Sequence, residues 1–244
     1  DDGAVLARAR IAMARMARLH LCAAQDCDPG APVPAPGYVL VADQATGSAP
    51  APILREMLAV ARIENPAPPL FVLPPAAGPG ILPETLPSGA VRVDRSLSPW
   101  ALCDGATAVY ARDAEAGLIA ILAGHRPRLF GTSLWAGWGL SHDEDTAARG
   151  PRLTRAQLLA AMMIDLAAWY DPVRDRLCSP EEALDQAEAA LRVWREDRTG
   201  HVAVGMARWK RPHLRRFFGQ RRPLAFAARP PGAAPADGRG VLVW

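Results

Sequence analysis

Lysine is almost missing from this chain: Lys210 is its single lysine among 244 residues, and every other basic side chain is arginine. No apolar run approaches the roughly 18 residues that a membrane-spanning helix needs. The chain opens on Asp1-Asp2, which is neither a basic region nor a greasy leader. Cysteine is scarce, and Cys22, Cys27, Cys103 and Cys178 lack both a disulfide framework and the paired spacing of a zinc site, so they read as reduced and structural. Internal repeats are absent. Carboxylates vanish between Asp197 and Asp237, whereas Arg198, Arg208, Lys210, Arg211, Arg215, Arg216, Arg221, Arg222 and Arg229 all fall in that gap. A formal charge of only +3 therefore hides a localised basic surface, suited to anionic ligands or acidic lipid headgroups. No nucleic-acid-binding motif or aromatic ladder accompanies it.

Half of the residues are apolar, enough for a sizeable core in a chain of 26.1 kDa. Apolar spacing predicts an amphipathic helix over 5–19, broken by the proline-rich stretch from Pro29 to Gly37. Short strands are expected at 38–42, 70–73, 91–93, 108–110 and 128–130, with helices at 52–63 and 114–123 and a proline- and glycine-rich connection over 74–89. Strands alternating with helices imply a parallel sheet with right-handed crossovers, and ligands of such sheets sit beyond the carboxyl ends of the strands. Further helices are expected at 154–169, at 179–194 with Ser179 as N-cap and Pro180 in the first helical position, and at 212–218. A strand is expected at 201–204. The chain closes with a proline-alanine tether at 230–235 and a strand beginning at Val241.

Aromatics make up only 6 % of the chain, so the segment Phe130-Gly131-Thr132-Ser133-Leu134-Trp135-Ala136-Gly137-Trp138-Gly139-Leu140 is conspicuous. Glycine lets backbone approach a ligand and adopts positive φ, while tryptophan offers a flat apolar face with one N–H donor. The same residues serve a ligand-gripping loop or a packed turn, and on composition alone both stand. Lys210 invites a similar choice between a flexible point charge on a phosphate and a solvated survivor. His142-Asp143-Glu144-Asp145 reads as a solvated loop, since adjacent charges cannot all face one point. His20, His125, His201 and His213 are isolated, and no triad is proposed.

The stretch from Gly131 to Asp145 resembles the G-x-P-F-Y-A-G-W-G-L-T-x-D signature of the bacterial capsular polysaccharide synthesis proteins, a family of β-Kdo glycosyltransferases. Asp171-Pro172-Val173 through Cys178-Ser179-Pro180-Glu181-Glu182-Ala183-Leu184 resembles the family's Y-V-D-P-x-T-G-x-x-C-S-P-E-E-A-L, and Gly205-Met206-Ala207-Arg208-Trp209-Lys210-Arg211-Pro212 its G-F-S-R-W-K-R-P. The resemblance covers about residues 36 to 218. It implies an α/β chain, with a Rossmann-like parallel sheet and helices on both faces, forming one lobe of a GT-B-like glycosyltransferase with added C-terminal helices. The expected organisation is a leading helix and linker over 1–35, the nucleotide-sugar-binding lobe over 36–218, and a linker with a further strand over 219–244. That last strand resembles the start of a following module, so the chain is expected to be a fragment of a longer protein that matches the donor-side lobe.

The resemblance also implies capsular polysaccharide synthesis and export, with Kdo transferred from CMP-Kdo to an anionic glycan or glycolipid. The nucleotide sugar is the substrate; no cofactor, metal or nucleic acid is expected. The lack of a leader and of a long apolar run argues for a cytoplasmic protein, and the basic C-terminal region for peripheral contact with the inner membrane. Gln44, Gly131, Trp135, Ala136, Gly137, Trp138 and Gly139 are the implied donor-site wall, Arg208 and Lys210 the anion contacts; no catalytic residue is assigned. Departures fall in the same region. Leu73-Pro74-Pro75-Ala76 stands in place of K-P-H-P, Gly47 and Ser48 replace acidic residues, and the S-x-x-G-F-E-A-L helix start reads Ala114-Glu115-Ala116-Gly117-Leu118-Ile119-Ala120-Ile121. An alternative is therefore a degenerate module that acts as a scaffold or as a glycan- or partner-binding unit.

Overall fold

The computed structural model describes residues 2–23, 27–44, 51–81, 86, 89–112, 115–131, 133–144, 149–229 and 238–243. They form two compact units, residues 1–169 and 170–244. In chain order the first unit holds α1 (Gly3–Leu19), β1 (Tyr38–Ala42), α2 (Ala51–Glu64), β2 (Leu70–Leu73), β3 (Ala90–Arg92), α3 (Pro99–Gly105), β4 (Ala106–Ala111), α4 (Glu115–Ala123), β5 (Arg128–Leu129), β6 (His142–Asp143) and α5 (Arg155–Ala160). Its sheet runs β3-β2-β1-β4-β5-β6, and every neighbouring pair is parallel.

Burial on both faces explains why β1 is uniformly apolar. All five of its residues are buried. Val39 and Val41 face α2, packing with Leu54, Met57, Leu58 and Ala61. Tyr38 faces the other way, where its hydroxyl donates to the Leu102 carbonyl of α3 at 2.8 Å. Gly105 permits that approach, because a Cβ there would lie 2.8 Å from the Tyr38 oxygen. On that same side α3 packs on α4. Asp2 caps α1 through the Ala4 amide, α1 packs along α5, and a left-handed His20 ends the helix with its ring bonded to Ser98.

Burial pushes the Tyr38 phenol from 10.0 up to about 12, and burial with the Glu64 hydrogen bond does the same to Tyr110. A folded-state value above the unfolded one means a stabilisation that is complete below the unfolded value and lost as pH rises through the folded one. An alkaline titration followed by circular dichroism is expected to show stability falling between pH about 10 and about 12. Tyr38→Phe should remove part of that slope.

The second unit continues with β7 (Trp169–Asp171, starting at the boundary), β8 (Arg176–Cys178), α6 (Pro180–Asp197), β9 (His201–Val204), α7 (Arg211–Phe218), β10 (Ala225–Ala227) and β11 (Gly240–Val243). Here β9 lies between β10 and β11, parallel to both. A capping box starts α6, with Ser179 accepting from the Glu182 amide and Glu182 accepting from the Ser179 amide.

Several sequence expectations shift. The two units meet in sequence at 169/170, and in the second β9 finds its partners in β10 and β11. The leading helix belongs to the first unit. The helix expected over 154–169 stops early: after α5 the chain widens into a π turn, Ala161–Asp165, closed by the Leu166 amide on the Ala161 carbonyl. Trp169 then donates to the Met163 carbonyl at 2.6 Å and enters β7. Helix α3 and strands β6, β7, β8 and β10 are additions to the sequence reading. The tether at 230–235 lies outside the described residues, as do Gly47, Ser48, Ala114, Thr132 and Asp145. None of the cysteines forms a disulfide; the Cys22 thiol donates to the Cys27 sulfur at 3.3 Å. No described helix is long and apolar enough to cross a membrane.

Candidate functional site

From β1 the chain moves outward to β2 and β3, then crosses back to β4 on the other side of β1. The carboxyl ends of β1 and β4 therefore mark the point where strand order reverses, the usual ligand crevice of an open parallel sheet. At the end of β1, Asp43 is buried and builds a small hub. Its Oδ1 accepts from the amides of Gln44 at 2.8 Å and Ile81 at 3.2 Å, and its Oδ2 accepts from the Arg92 guanidinium at 2.9 Å. Gln44 is buried beside it, and its carbonyl accepts from the Ile81 amide at 2.9 Å. Gly80 admits this arrangement, since a Cβ would stand 2.0 Å from the carboxylate.

Arg112 leaves the end of β4, and Gly131 lies just past β5, the next strand. Gly131 has φ 71°, and a Cβ on it would meet the Arg112 Nε at 2.9 Å. A cationic side chain thus rests directly on the backbone at the base of the tryptophan loop. The sequence reading does not single out Arg112; its position directly after an apolar strand is the signal that could have found it.

The loop is held by its own polar groups. Ser133 is fully buried, and its Oγ accepts from the Trp135 amide at 3.2 Å while its carbonyl accepts from the Arg149 guanidinium at 3.0 Å. Gly137 and Gly139 take φ of 85° and 74°, which side chains other than glycine rarely adopt. The Gly137 amide donates to Asp143 Oδ2 at 2.8 Å, and Ser141 donates to Asp143 Oδ1 at 2.6 Å. Carbonyls of Gly137 and Trp138 accept from the amides of Arg149 and Leu153, each at 3.0 Å. Asp143 therefore shapes the loop from β6, and Glu144 pairs with Arg128 at 2.6 Å. His142 and Glu144 are exposed, in keeping with a solvated run, whereas Asp143 is half-buried through the pairing of β6 with β5.

The two indoles differ. Trp138 donates its Nε1 to the Leu134 carbonyl at 3.1 Å and so ties the loop. Trp135 is half-buried, and its Nε1 is buried without a partner. Leaving a buried donor unpaired costs about 1–3 kcal/mol, so this N–H is poised for an acceptor that the described residues do not supply. Ala136 is fully buried and Gly137 is buried, which places both in the loop's packing. The structure thus joins Gly131 and Trp135 through Gly139 in one loop at the carboxyl edge of the sheet, with Gln44 at the edge of β1.

Arg208 and Lys210 belong to the second unit, on the 3-10 turn Arg208–Lys210 that leads into α7. Arg208 is exposed, and the Lys210 ammonium lies 5.2 Å from the Trp209 ring centroid. Met206 anchors the turn in a small core with Ala203 and Leu224. Ile119, where the resemblance places a glutamate, is 2 % exposed and packs inside the first unit, so that position offers no carboxylate. Among the described residues no three of His, Cys, Asp and Glu are grouped to hold a metal.

A separate cleft of about 660 Å³ lies beside β4, β5 and β6, lined among others by Glu64, Tyr110, Arg128, His142 and Glu144. Its charges are mutually satisfied: Tyr110 donates to Glu64 at 2.5 Å, and Arg128 pairs with both Glu64 and Glu144. The Tyr110 hydrogen bond and Arg128 hold the Glu64 carboxyl below its ordinary range.

No family profile matches the chain. It is 28 % identical over 130 residues to the capsule polysaccharide modification protein LipA of Neisseria meningitidis serogroup A, a match covering 50 % of this chain and 18 % of LipA. Its fold is similar to KpsC of Thermosulfurimonas dismutans, β-Kdo 2,4 transferase, with TM-score 0.70 and 20 % identity over 77 % of this chain and 64 % of that one. The β-Kdo 2,7 transferase of the same organism gives TM-score 0.59 and 18 % identity over 79 % and 62 %. The chain thus spans less than two thirds of each of these relatives. The resemblance to the capsular polysaccharide Kdo transferases, carried in the sequence by three motifs, is borne out, as is the α/β fold with its parallel sheet and flanking helices.

Proposed function

We propose that this chain, akin to the capsular polysaccharide Kdo transferases, is the donor-side lobe of a glycosyltransferase that takes CMP-Kdo and passes Kdo to an anionic glycan or glycolipid at the cytoplasmic face of the inner membrane. The observation that carries the proposal is the Trp135 indole N–H, buried and unpartnered in a loop whose base is backed by Arg112. A CMP-sugar acid brings a phosphate, a carboxylate and flat or apolar faces. Arg112 suits the anion, because a guanidinium presents a fork of donors to phosphate or carboxylate oxygens. Trp135 suits the rest, offering one donor and an apolar face. The resemblance names Arg208 and Lys210 as further anion contacts of the donor. In this reading guanidinium and ammonium groups balance the phosphate, and neither a cofactor nor a metal is invoked.

Isothermal titration with CMP tests it. Micromolar binding is expected, weakened about tenfold or more by Arg112→Ala, by Lys210→Ala and by Trp135→Phe, since one charge-assisted hydrogen bond is worth roughly 1.5–3 kcal/mol. Trp135→Phe should do this with little change in melting temperature, because its N–H bonds to none of the described residues. The second reading, a degenerate scaffold, draws on the buried Ile119 and on Pro74-Pro75 in place of a lysine and histidine pair. Silence at millimolar CMP would select it.

A further inference from the structure

We infer that Cys22 and Cys27 are a redox-active dithiol, which closes into a disulfide under mild oxidation and locks the chain after α1 onto the first unit. The Cys22 thiol donates to the Cys27 sulfur at 3.3 Å, and the Cys27 thiol donates to the His20 carbonyl at 3.7 Å. A disulfide spans about 2.0 Å, so the two sulfurs need to close by only about 1.3 Å. The backbone on both sides of the pair is already tied down. Before it, the His20 ring bonds Ser98 Oγ at 2.7 Å, and the Leu21 carbonyl accepts from the Trp100 indole at 2.8 Å. After it, the Asp28 amide donates to the Ser96 carbonyl at 2.7 Å. The Ala23 amide also donates to the Glu115 carboxylate, at 2.8 and 2.9 Å to its two oxygens. Two sulfurs held in contact by a fixed backbone react with each other at a high effective concentration.

Burial divides the labour. Cys22 is half-buried and reachable from solvent, whereas Cys27 is 1 % exposed. Cys22 therefore attacks first: it gives its proton to water, bonds to one sulfur of a low-molecular-weight disulfide such as oxidised glutathione, and expels the other half as a thiolate. Cys27 Sγ then attacks Cys22 Sγ, and its proton leaves with the second glutathione thiolate. The protein loses two hydrogens and two electrons, and one oxidised glutathione becomes two reduced ones. The other thiols are poorly placed to compete. Burial pushes the Cys103 thiol up to about 12, and desolvation with the Glu182 carboxylate raises that of Cys178. The closed ring fastens the end of α1 to α3 and α4 through His20, Leu21 and Ala23, so oxidation stiffens this junction of the first unit. The inference uses none of the donor-site residues.

Treatment of the full chain with oxidised glutathione, then acid quenching, alkylation and peptide mass spectrometry, tests it. A Cys22–Cys27 cross-link two hydrogens lighter than the dithiol is expected, with Cys103 and Cys178 still alkylated. The oxidised chain should melt about 4–8 °C above the reduced one, and amide hydrogen exchange at Leu21, Ala23 and Asp28 should slow. Cys27→Ala should trap glutathione on Cys22. Cys22→Ser, which changes the more exposed sulfur and should keep the parent's circular dichroism, should abolish the oxidant-dependent shift in melting temperature. In that variant Cys27 should react with glutathione at least about tenfold more slowly than Cys22 does in the parent. Glutathione that stays on Cys22 in the parent, a cross-link through Cys103 or Cys178, or no loss of thiols overturns the inference. So does a Cys22–Cys27 bond that leaves melting and exchange unchanged. CMP binding in a chain that forms no such bond would sink this inference and leave the donor reading intact.

Discussion

Asp43→Ala is expected to lower the stability of the first unit by about 3 kcal/mol, a fall in melting temperature of roughly 6–12 °C by calorimetry. The Asp43 side chain is fully removed from solvent, while its partner Arg92 keeps 28 % of its side chain exposed. Removing the carboxylate leaves a guanidinium that can partly rehydrate, so the ion pair itself accounts for the smaller share. The larger share comes from backbone: the Gln44 amide loses an acceptor at 2.8 Å in a buried position, and the Ile81 amide keeps only the Gln44 carbonyl. Each buried donor left unpaired costs about 1–3 kcal/mol. Asp43→Asn should recover part of this, because an amide oxygen can still accept from Gln44, although its NH₂ then meets the Arg92 guanidinium. Equal melting temperatures for the Ala variant and the parent would show that the hub does not organise this edge. The consequence for function follows from position, since the hub fixes Gln44 and the connection through Gly80 at the carboxyl end of β1.

How much of this was legible in the sequence depends on the length of the signal. Tyr38–Ala42 and Leu70–Leu73 are apolar runs buried on both sides, and their bounds emerge from composition alone. Ser179-Pro180-Glu181-Glu182 announces α6 through capping chemistry that acts within one turn. Short elements made by tertiary partners gave no such signal. The two-residue β6 exists because Arg128 and Leu129 offer a parallel edge to His142 and Asp143, and nothing in a run of adjacent charges foretells an edge to pair with. The π turn after α5 likewise follows from where Trp169 finds a carbonyl, a contact invisible to periodicity.

The candidate site was legible as a motif and not as a geometry. Glycines at 131, 137 and 139 marked positive φ correctly, and the two tryptophans marked a loop of special character. Which indole ties the loop and which keeps a spare donor depends on whether the Leu134 carbonyl lies within reach, and that is a matter of folding. Arg112 escaped notice because an arginine in an arginine-rich chain is unremarked until a neighbouring strand brings Gly131 against it. Glycine was needed there for two reasons at once, a left-handed backbone and the absence of a Cβ.

Asp143→Ala should therefore affect binding far more than its place in a charged run suggests, weakening CMP affinity by about 30-fold or more while the chain stays folded. The carboxylate accepts from the Gly137 amide and from Ser141, two charge-assisted bonds of 2.8 and 2.6 Å. Gly137 is buried, so its amide cannot turn to water without the loop opening. Opening needs only local rearrangement, because the strands beneath are held by their own ladder. Most of the lost free energy should thus appear as a loop that samples other shapes, seen as faster amide hydrogen exchange over 133–140 and as lost affinity. The melting temperature should drop by only a few degrees. Asp143→Asn, which keeps one acceptor oxygen, should fall between the two in both exchange and affinity. An Ala variant that binds CMP like the parent would mean that the loop's shape does not govern the donor site, and the assignment of Trp135 to that site would fail with it.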